Sequence, residues 1–411
     1  MNVVERLDAL RQLGAHEHGI DRALLTPAER AARERFAAWA RASGFTVTQD
    51  AVSNLFARRN GTRSDAKPIL VGSHLDTVPT GGAYDGAYGV AAALCALELL
   101  DARGVATEHP IDAVAWAGEE GSRFPLGCLG SSVFTGLNDE QTVRALVGDD
   151  GVVFADALAA RDGGLLDVPV RKDRDVAAYL ELHVEQGPVL EERGLSLGIV
   201  TAIAAQRRLR VTVTGRSGHA GTMPMAMRAD ALCAAAELVL AFERAAREVG
   251  DAVATVGRLL VEPNGTNIVP GCVVFSLDLR SPDEQKLDAI SGAMHRAIDA
   301  VTSQRGVRVD VEMLEKRSAT PMTPALRDAI ARAIAGLGQR YAEVPSGAGH
   351  DAMCLGKIVP AAMIFVPSIG GQSHVREERT ADRDLLLGVE ALAASIVEVD
   401  KICDSLSAVR R

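Results

Sequence analysis

Five short polar segments carry the residues able to do chemistry: Gly72-Ser73-His74-Leu75-Asp76, Gly82-Ala83-Tyr84-Asp85-Gly86, Gly118-Glu119-Glu120-Gly121, His183-Val184-Glu185-Gln186-Gly187 and Ser373-His374. His74, Asp85, Glu120, His183 and His374 supply N and O donors of the kind and number that hold two divalent ions through one shared carboxylate. Glu119, beside a proposed ligand, is left to handle a proton. Two ions and one such carboxylate suffice to hydrolyse an amide-like bond. Asp76, two residues after His74, is placed to accept from the second ring nitrogen of that histidine and fix its orientation. Asp85 lies between small residues and Gly86, so the backbone can turn sharply and aim the carboxylate inward. Any one of these residues alone reads as solvated surface. Five together, each at an apparent strand end and flanked by Gly or Ser, do not.

The elements that must position them alternate in the α/β manner. Pro68–Gly72, Ile111–Trp116 and Ala177–Leu182 read as buried strands, and Gly86–Leu100 as an apolar helix. His74, Glu119, Glu120 and His183 follow the apolar parts of such strands, where α/β sheets bind ligands. Upstream, Thr26-Pro27-Ala28-Glu29 signals an opening helix, with Thr26 as cap, Pro27 at the first position and Glu29 completing a capping box, running to about Gly44. Phe45–Thr48 and Asn54–Arg58 are β-like. From Arg208 to Leu314 the pattern changes: strand Leu209–Val213, helix Arg228–Val249, strands Ala252–Val261 and Val273–Leu279, helix Asp283–Gln304 and strand Val307–Val311. That βαββαβ order is the split ferredoxin-like unit. The chain then returns to α/β material with a helix near Pro324–Leu337, strand Ala362–Val366 and a last helix from about Asp382. The expected division is a catalytic domain over 1–206 and 317–411, with an inserted domain over 207–316.

Composition narrows the partners. A chain of 411 residues with 47% hydrophobic and 24% charged content is long enough for two cores of ordinary globular type. A formal charge of −10 argues against nucleic acid as the main partner. Charged residues interrupt every apolar run before membrane-spanning length. The start Met1-Asn2-Val3-Val4-Glu5-Arg6 lacks a basic-then-apolar signal pattern, and the six cysteines are dispersed with no C-x-x-C pair. Thiols in a reducing cytoplasm are the expectation.

The segments Gly72–Thr77, Glu119-Glu120-Gly121-Ser122-Arg123-Phe124, Glu181–Gly187, Gly218-His219-Ala220-Gly221 and Ser346-Gly347-Ala348-Gly349-His350-Asp351 resemble the M20 metallopeptidase clan, specifically its hydantoinase/carbamoylase branch. The resemblance runs over nearly the whole chain. It implies an α/β metallohydrolase domain carrying an inserted ferredoxin-like dimerisation domain, and two divalent ions (Zn, Mn or Co). One ion takes His74, Asp85 and His183, and the other takes Asp85, Glu120 and His374, with Asp85 as the bridge. Peptidases of the clan usually have a carboxylate where this chain has His183, so the carbamoylase branch is favoured. The last ligand lies in Ser373-His374-Val375-Arg376, a departure from the branch's usual Ser-His-Asn/Ser-Pro.

The implied chemistry is hydrolysis of a ureido C–N bond, with the ions acidifying a shared water and polarising the carbonyl while Glu119 relays the proton. His219 can donate to the oxyanion of the tetrahedral intermediate, in its own site or that of a dimer partner. Asn267 and Arg280 are similar to the branch's clamp for a substrate carboxylate, with Gln186 as a further polar contact. Gln206-Arg207-Arg208 resembles the allantoate-type members, where Arg208 would meet a second ureido arm; Pro367–Gly371 with Glu378-Arg379-Thr380 leans the same way. His350-Asp351 is expected to open a short helix, either favouring an anion or with Asp351 simply as its cap. Edge strands at Leu209–Val213 and Ala252–Val261, or the face of helix Arg228–Val249, can pair about a two-fold axis. A peptidase or aminoacylase of the same fold, and a non-catalytic binding protein, are the alternative readings. His183 with Asn267 and Arg280 argues against the first. The intact Glu119 and ligand set argue against the second.

Overall fold

Four parallel strands, buried on both faces, form the centre of the larger unit. In the computed structural model, which describes residues 1–408, the order is Ala361–Val366, Ala178–Val184, Ile69–His74, Ile111–Trp116. Every residue of the four is buried, which explains their unbroken apolar runs. Antiparallel strands extend both sides: Gly198–Ile203 beside Ala361–Val366, and Leu55–Arg59 then Thr46–Gln49 beyond Ile111–Trp116. Helix Ala87–Ala102 is apolar nearly all round because it packs on three strands and is itself covered by helices Val3–Arg11 and Asp382–Asp400.

By its contacts the chain divides into two compact units, one formed by 1–201, 322–344 and 348–411, the other by 202–321 and 345–347. In the second, five antiparallel strands form one sheet: Val253–Thr255 and Leu259–Glu262 both pair with Cys272–Ser281, which pairs with Ala205–Thr214, and that with Arg308–Arg317. Helices Ala231–Val249 and Glu284–Arg305 cover one face. This is the ferredoxin-like arrangement. No helix among the described residues is long and apolar enough to cross a membrane.

Several expectations are corrected. The chain opens one helix earlier, at Val3–Arg11, where Asn2 and Glu5 form a true capping box. Thr26 does cap Pro27–Ala42, but Glu29 does not return to it. Its carboxylate takes the Leu25 N–H at 3.1 Å and the Arg33 guanidinium at 2.8 Å instead. Leu209–Val213 is not an edge: it lies inside strand Ala205–Thr214, paired on both sides. The segment expected as one strand at Ala252–Val261 is two, Val253–Thr255 and Leu259–Glu262, both paired with Cys272–Ser281. Between them the main chain leaves the ladder, and Arg258 N–H bonds the Ser276 hydroxyl at 3.1 Å.

Candidate metal centre and substrate contacts

The carboxyl ends of the four parallel strands bring the expected ligands together. His74 is the last residue of its strand, His183 the next to last of its own, and Glu119-Glu120 and Ser373-His374 follow two others. Asp85 reaches the cluster from the loop before helix Ala87–Ala102. Gly86, at φ +61°, caps that helix, and a Cβ there would lie 2.4 Å from the His74 ring, so only glycine permits the turn.

Asp85 divides its two oxygens between two sets of partners. Oδ1 lies 3.4 Å from His74 Nε2 and 3.2 Å from His183 Nε2. Oδ2 lies 3.2 Å from His374 Nε2, which is 3.6 Å from Glu120 Oε2. Two groups of donor atoms result, His74–Asp85–His183 and Asp85–Glu120–His374, each compact enough to hold a metal ion. The rings are aimed from behind: His183 Nδ1 meets the Val184 carbonyl at 2.8 Å and His74 Nδ1 the Asp76 carbonyl at 3.1 Å. Each Nε2 then faces an Asp85 oxygen, and that of His183 also accepts the Gly86 N–H at 3.1 Å. A carboxylate packed among buried imidazoles needs positive charge beside it, from ring protons or from bound cations. Burial alone would raise Asp85, yet His183, His374 and His74 hold it well below the carboxylate range. The donor set therefore fits divalent cations. A third group, Glu181–His183–His350, shares His183, but His183 already spends both ring nitrogens. Glu181 accepts from Ser73 Oγ at 2.8 Å and Ala352 N–H at 3.0 Å.

Asp76 works differently from expectation. Its main-chain carbonyl is the nearer acceptor for His74, since its carboxylate stands 3.6 Å off. The carboxylate oxygens accept the N–H groups of Glu119 at 3.1 Å and Glu120 at 3.2 Å, so Asp76 ties the strand that bears His74 to the turn that bears both glutamates. Glu119 and Glu120 thereby both face the ligand cluster, with Glu119 Oε2 3.9 Å from His74 Nε2 and Glu120 Oε2 3.6 Å from His374 Nε2. Burial, aided by Asp76 and Asp85 and opposed by His74, pushes Glu119 up to about 7. That desolvation is what a carboxylate beside cations needs to stay basic.

Sequence reasoning missed the residues that hold Asp85. Glu378 accepts the N–H groups of Tyr84 at 2.9 Å and Asp85 at 3.1 Å, and the Ser373 hydroxyl at 3.0 Å. It is thus a brace for the ligand loop. Gln186, at φ +59°, gives its amide N–H to Asp85 Oδ2 at 2.7 Å and to Ser373 Oγ at 3.2 Å, leaving its Oε1 buried without a partner. Asp351 precedes the short helix Ala352–Leu355 but makes no cap bond; its carboxylate takes the Ser131 hydroxyl. His350 packs its buried ring edge-on to His183, with centroids 4.6 Å apart.

The remaining expected residues lie in the second unit, in two places. His219 and Asn267 are neighbours across the short ladder Gly218–His219 with Ile268–Val269, where Ala220 N–H bonds the Asn267 carbonyl at 2.9 Å. His219 Nδ1 accepts from Gly221 N–H at 3.0 Å and Thr222 N–H at 3.3 Å. Its proton is therefore on Nε2, which is a donor. Arg280 and Arg208 converge on Asp278. Arg280 grips it with Nε at 3.0 Å and a terminal nitrogen at 3.1 Å, and Gln206 adds 2.7 Å. Arg208 lies 3.3 Å from Asp278 and 3.1 Å from Glu315, with half its side chain exposed.

Comparison with known proteins identifies the family. The model for Peptidase family M20/M25/M40 matches residues 70–398. The chain is 40% identical to an N-carbamoyl-L-amino-acid amidohydrolase of Paenarthrobacter aurescens over 97% of its length and 98% of that protein. It is 37% identical to an allantoate amidohydrolase of Bacillus subtilis, covering 95% of each. A crystal structure of a hydantoinase/carbamoylase family amidase from Burkholderia multivorans superposes with a TM-score of 0.92 at 35% identity, covering 96% of each chain. The protein is a metal-dependent hydrolase belonging to the M20/M25/M40 family, in the company of its hydantoinase/carbamoylase amidases.

Proposed function

We propose that this chain hydrolyses the C–N bond of an N-carbamoyl or ureido acid with two divalent ions, Zn, Mn or Co, releasing ammonia and CO2. The observation that carries the reading is Asp85, whose two oxygens each face a separate ligand set beside a buried Glu119. His74 and His183 would hold one ion, Glu120 and His374 the other, and Asp85 both. When bound, the ions supply a polarised carbonyl and a more acidic water. Glu119 takes the proton of the attacking water and returns it to the leaving nitrogen. Gln186, anchored on Asp85, keeps an amide oxygen for an N–H of the ureido group. His219 Nε2–H is suited to donate to the developing oxyanion.

Arg280 retains N–H donors beyond those it gives to Asp278 and the Gly347 carbonyl at 2.7 Å. It is the residue suited to recognise the substrate carboxylate, so every good substrate is an acid; Asn267 lies apart from it, beside His219. Within that class Arg208 favours a polar, allantoate-like molecule over a bulky apolar N-carbamoyl amino acid, because an alkyl group would leave the guanidinium unsatisfied. A homodimer in a reducing cytoplasm completes the reading, joined through the covering helices or an edge strand of the second unit.

Ammonia release from purified, metal-reconstituted protein tests it, comparing allantoate, N-carbamoyl-L-amino acids, N-carbamoyl-β-alanine and ureidoglycolate. Turnover of at least one is expected. Hydrolysis of dipeptides or N-acyl amino acids alone would transfer the chain to the peptidase or aminoacylase reading. N-carbamoyl-L-leucine turned over much faster than allantoate would remove the role given to Arg208.

A further inference from the structure

Cys128 lies where the chain leaves the Glu119-Glu120 turn and enters helix Leu129–Phe134. It is buried, with 3% of its surface exposed. Two of its groups meet Glu119: its N–H donates to the Glu119 carbonyl at 2.8 Å, and its thiol donates to Glu119 Oε1 at 3.3 Å. The backbone of Cys128 is left-handed, at φ 51° and ψ 37°. Glycine takes that conformation freely, whereas a residue with a Cβ is strained in it. The side chain held there meets the Glu119 carboxylate and the Cys354 thiol. The opposite carboxylate oxygen, Oε2, is the one 3.9 Å from His74 Nε2.

We propose that Cys128 is a positioning residue for Glu119. Its thiol holds Oε1, and its N–H holds the Glu119 main chain, so that the carboxylate cannot rotate and Oε2 stays turned to the ligand cluster. This rests on the role proposed above for Glu119 as the group that moves the proton. Cys128 touches no substrate. Losing it affects how often Glu119 is correctly aimed and leaves substrate affinity alone.

The test uses the full-length, metal-loaded protein with allantoate and N-carbamoyl-L-alanine as probes. Cys128→Gly removes the thiol and relieves the backbone, so the variant should melt no lower than the parent and bind the same metal. Its kcat should fall by roughly 10–100-fold at unchanged KM, the scale on which a misaimed group costs rate. Cys128→Ser, which restores a donor on the same carbon, should recover several-fold over Cys128→Ala. Glu119→Gln is measured alongside, and adding Cys128→Gly to it should cost nothing more. Full kcat in Cys128→Gly while Glu119→Gln is inactive would overturn the positioning role and leave the base intact. Serine no better than alanine at equal metal content would do the same, and this pair decides if the glycine variant fails to fold. An active Glu119→Gln would bring down the base and the positioning role together.

Discussion

Two charged clusters, one in each unit, balance their charge in opposite ways. Around Asp85, histidine lone pairs and carboxylate oxygens point at one another, and the groups are almost fully buried except His374. Around Asp278, a carboxylate is gripped by Arg280, Arg208 and Gln206, in a setting a quarter to a half exposed. The first cluster would be completed by added cations. The second is already neutralised internally, so a ligand there meets only the N–H donors that Arg280 has left over. A site of the first kind provides chemistry; one of the second kind provides selectivity at modest energy.

Removing the cations should therefore produce the largest effect. Chelation should abolish turnover and lower the melting temperature, with both restored by Zn, Mn or Co, because an ion bound only to the folded state stabilises it. Asp85→Ala should lose both ions and resist restoration, as measured by elemental analysis. Next in size is Glu119→Gln, which should keep the metals and lose ~10²–10⁴-fold in kcat. Near-normal activity in that variant would take Glu119 out of the mechanism.

The second cluster should respond more gently. Arg280→Met should weaken kcat/KM by about 1.5–3 kcal/mol, the range of hydrogen bonds to a charged group, mainly through KM. Compensation by Arg208 and Gln206, which would still hold Asp278, should keep the fold intact. An effect on kcat alone would contradict a binding role. Smallest of all is Arg208→Ala on stability, at about 0.2–1 kcal/mol, since the residue is half exposed and its ion pairs are screened. Its readout is preference: the ratio of allantoate to N-carbamoyl-L-leucine turnover should fall.

The proposed ligands His74, Glu120 and His183 were legible in the sequence because each lies at or just past an apolar run that reads as a buried strand, and strand ends gather at one edge of a parallel sheet; Asp85 was legible by its place before Gly86. Their braces were not. Glu378 and Ser373 reach Asp85 across 288 or more residues, and no local spacing announces that. The αL backbone of Cys128 leaves no mark on composition. Leu209–Val213 was misplaced at an edge because a one-sided sheet alternates in the same way at its edge and in its interior. The first helix was missed although Asn2 and Glu5 spell a capping box. Its apolar stripe of Val3, Leu7 and Leu10 is narrow and was overshadowed by the stronger signal at Thr26-Pro27.

The pairing of cations around Asp85 is the claim on which the rest depends, and anomalous diffraction with elemental analysis on a fully active sample tests it directly. Two ions per chain about 3.5–4 Å apart are expected, as in paired hydrolytic sites, one beside His74 and His183, the other beside Glu120 and His374. A fully active sample holding no more than one ion per chain would contradict it.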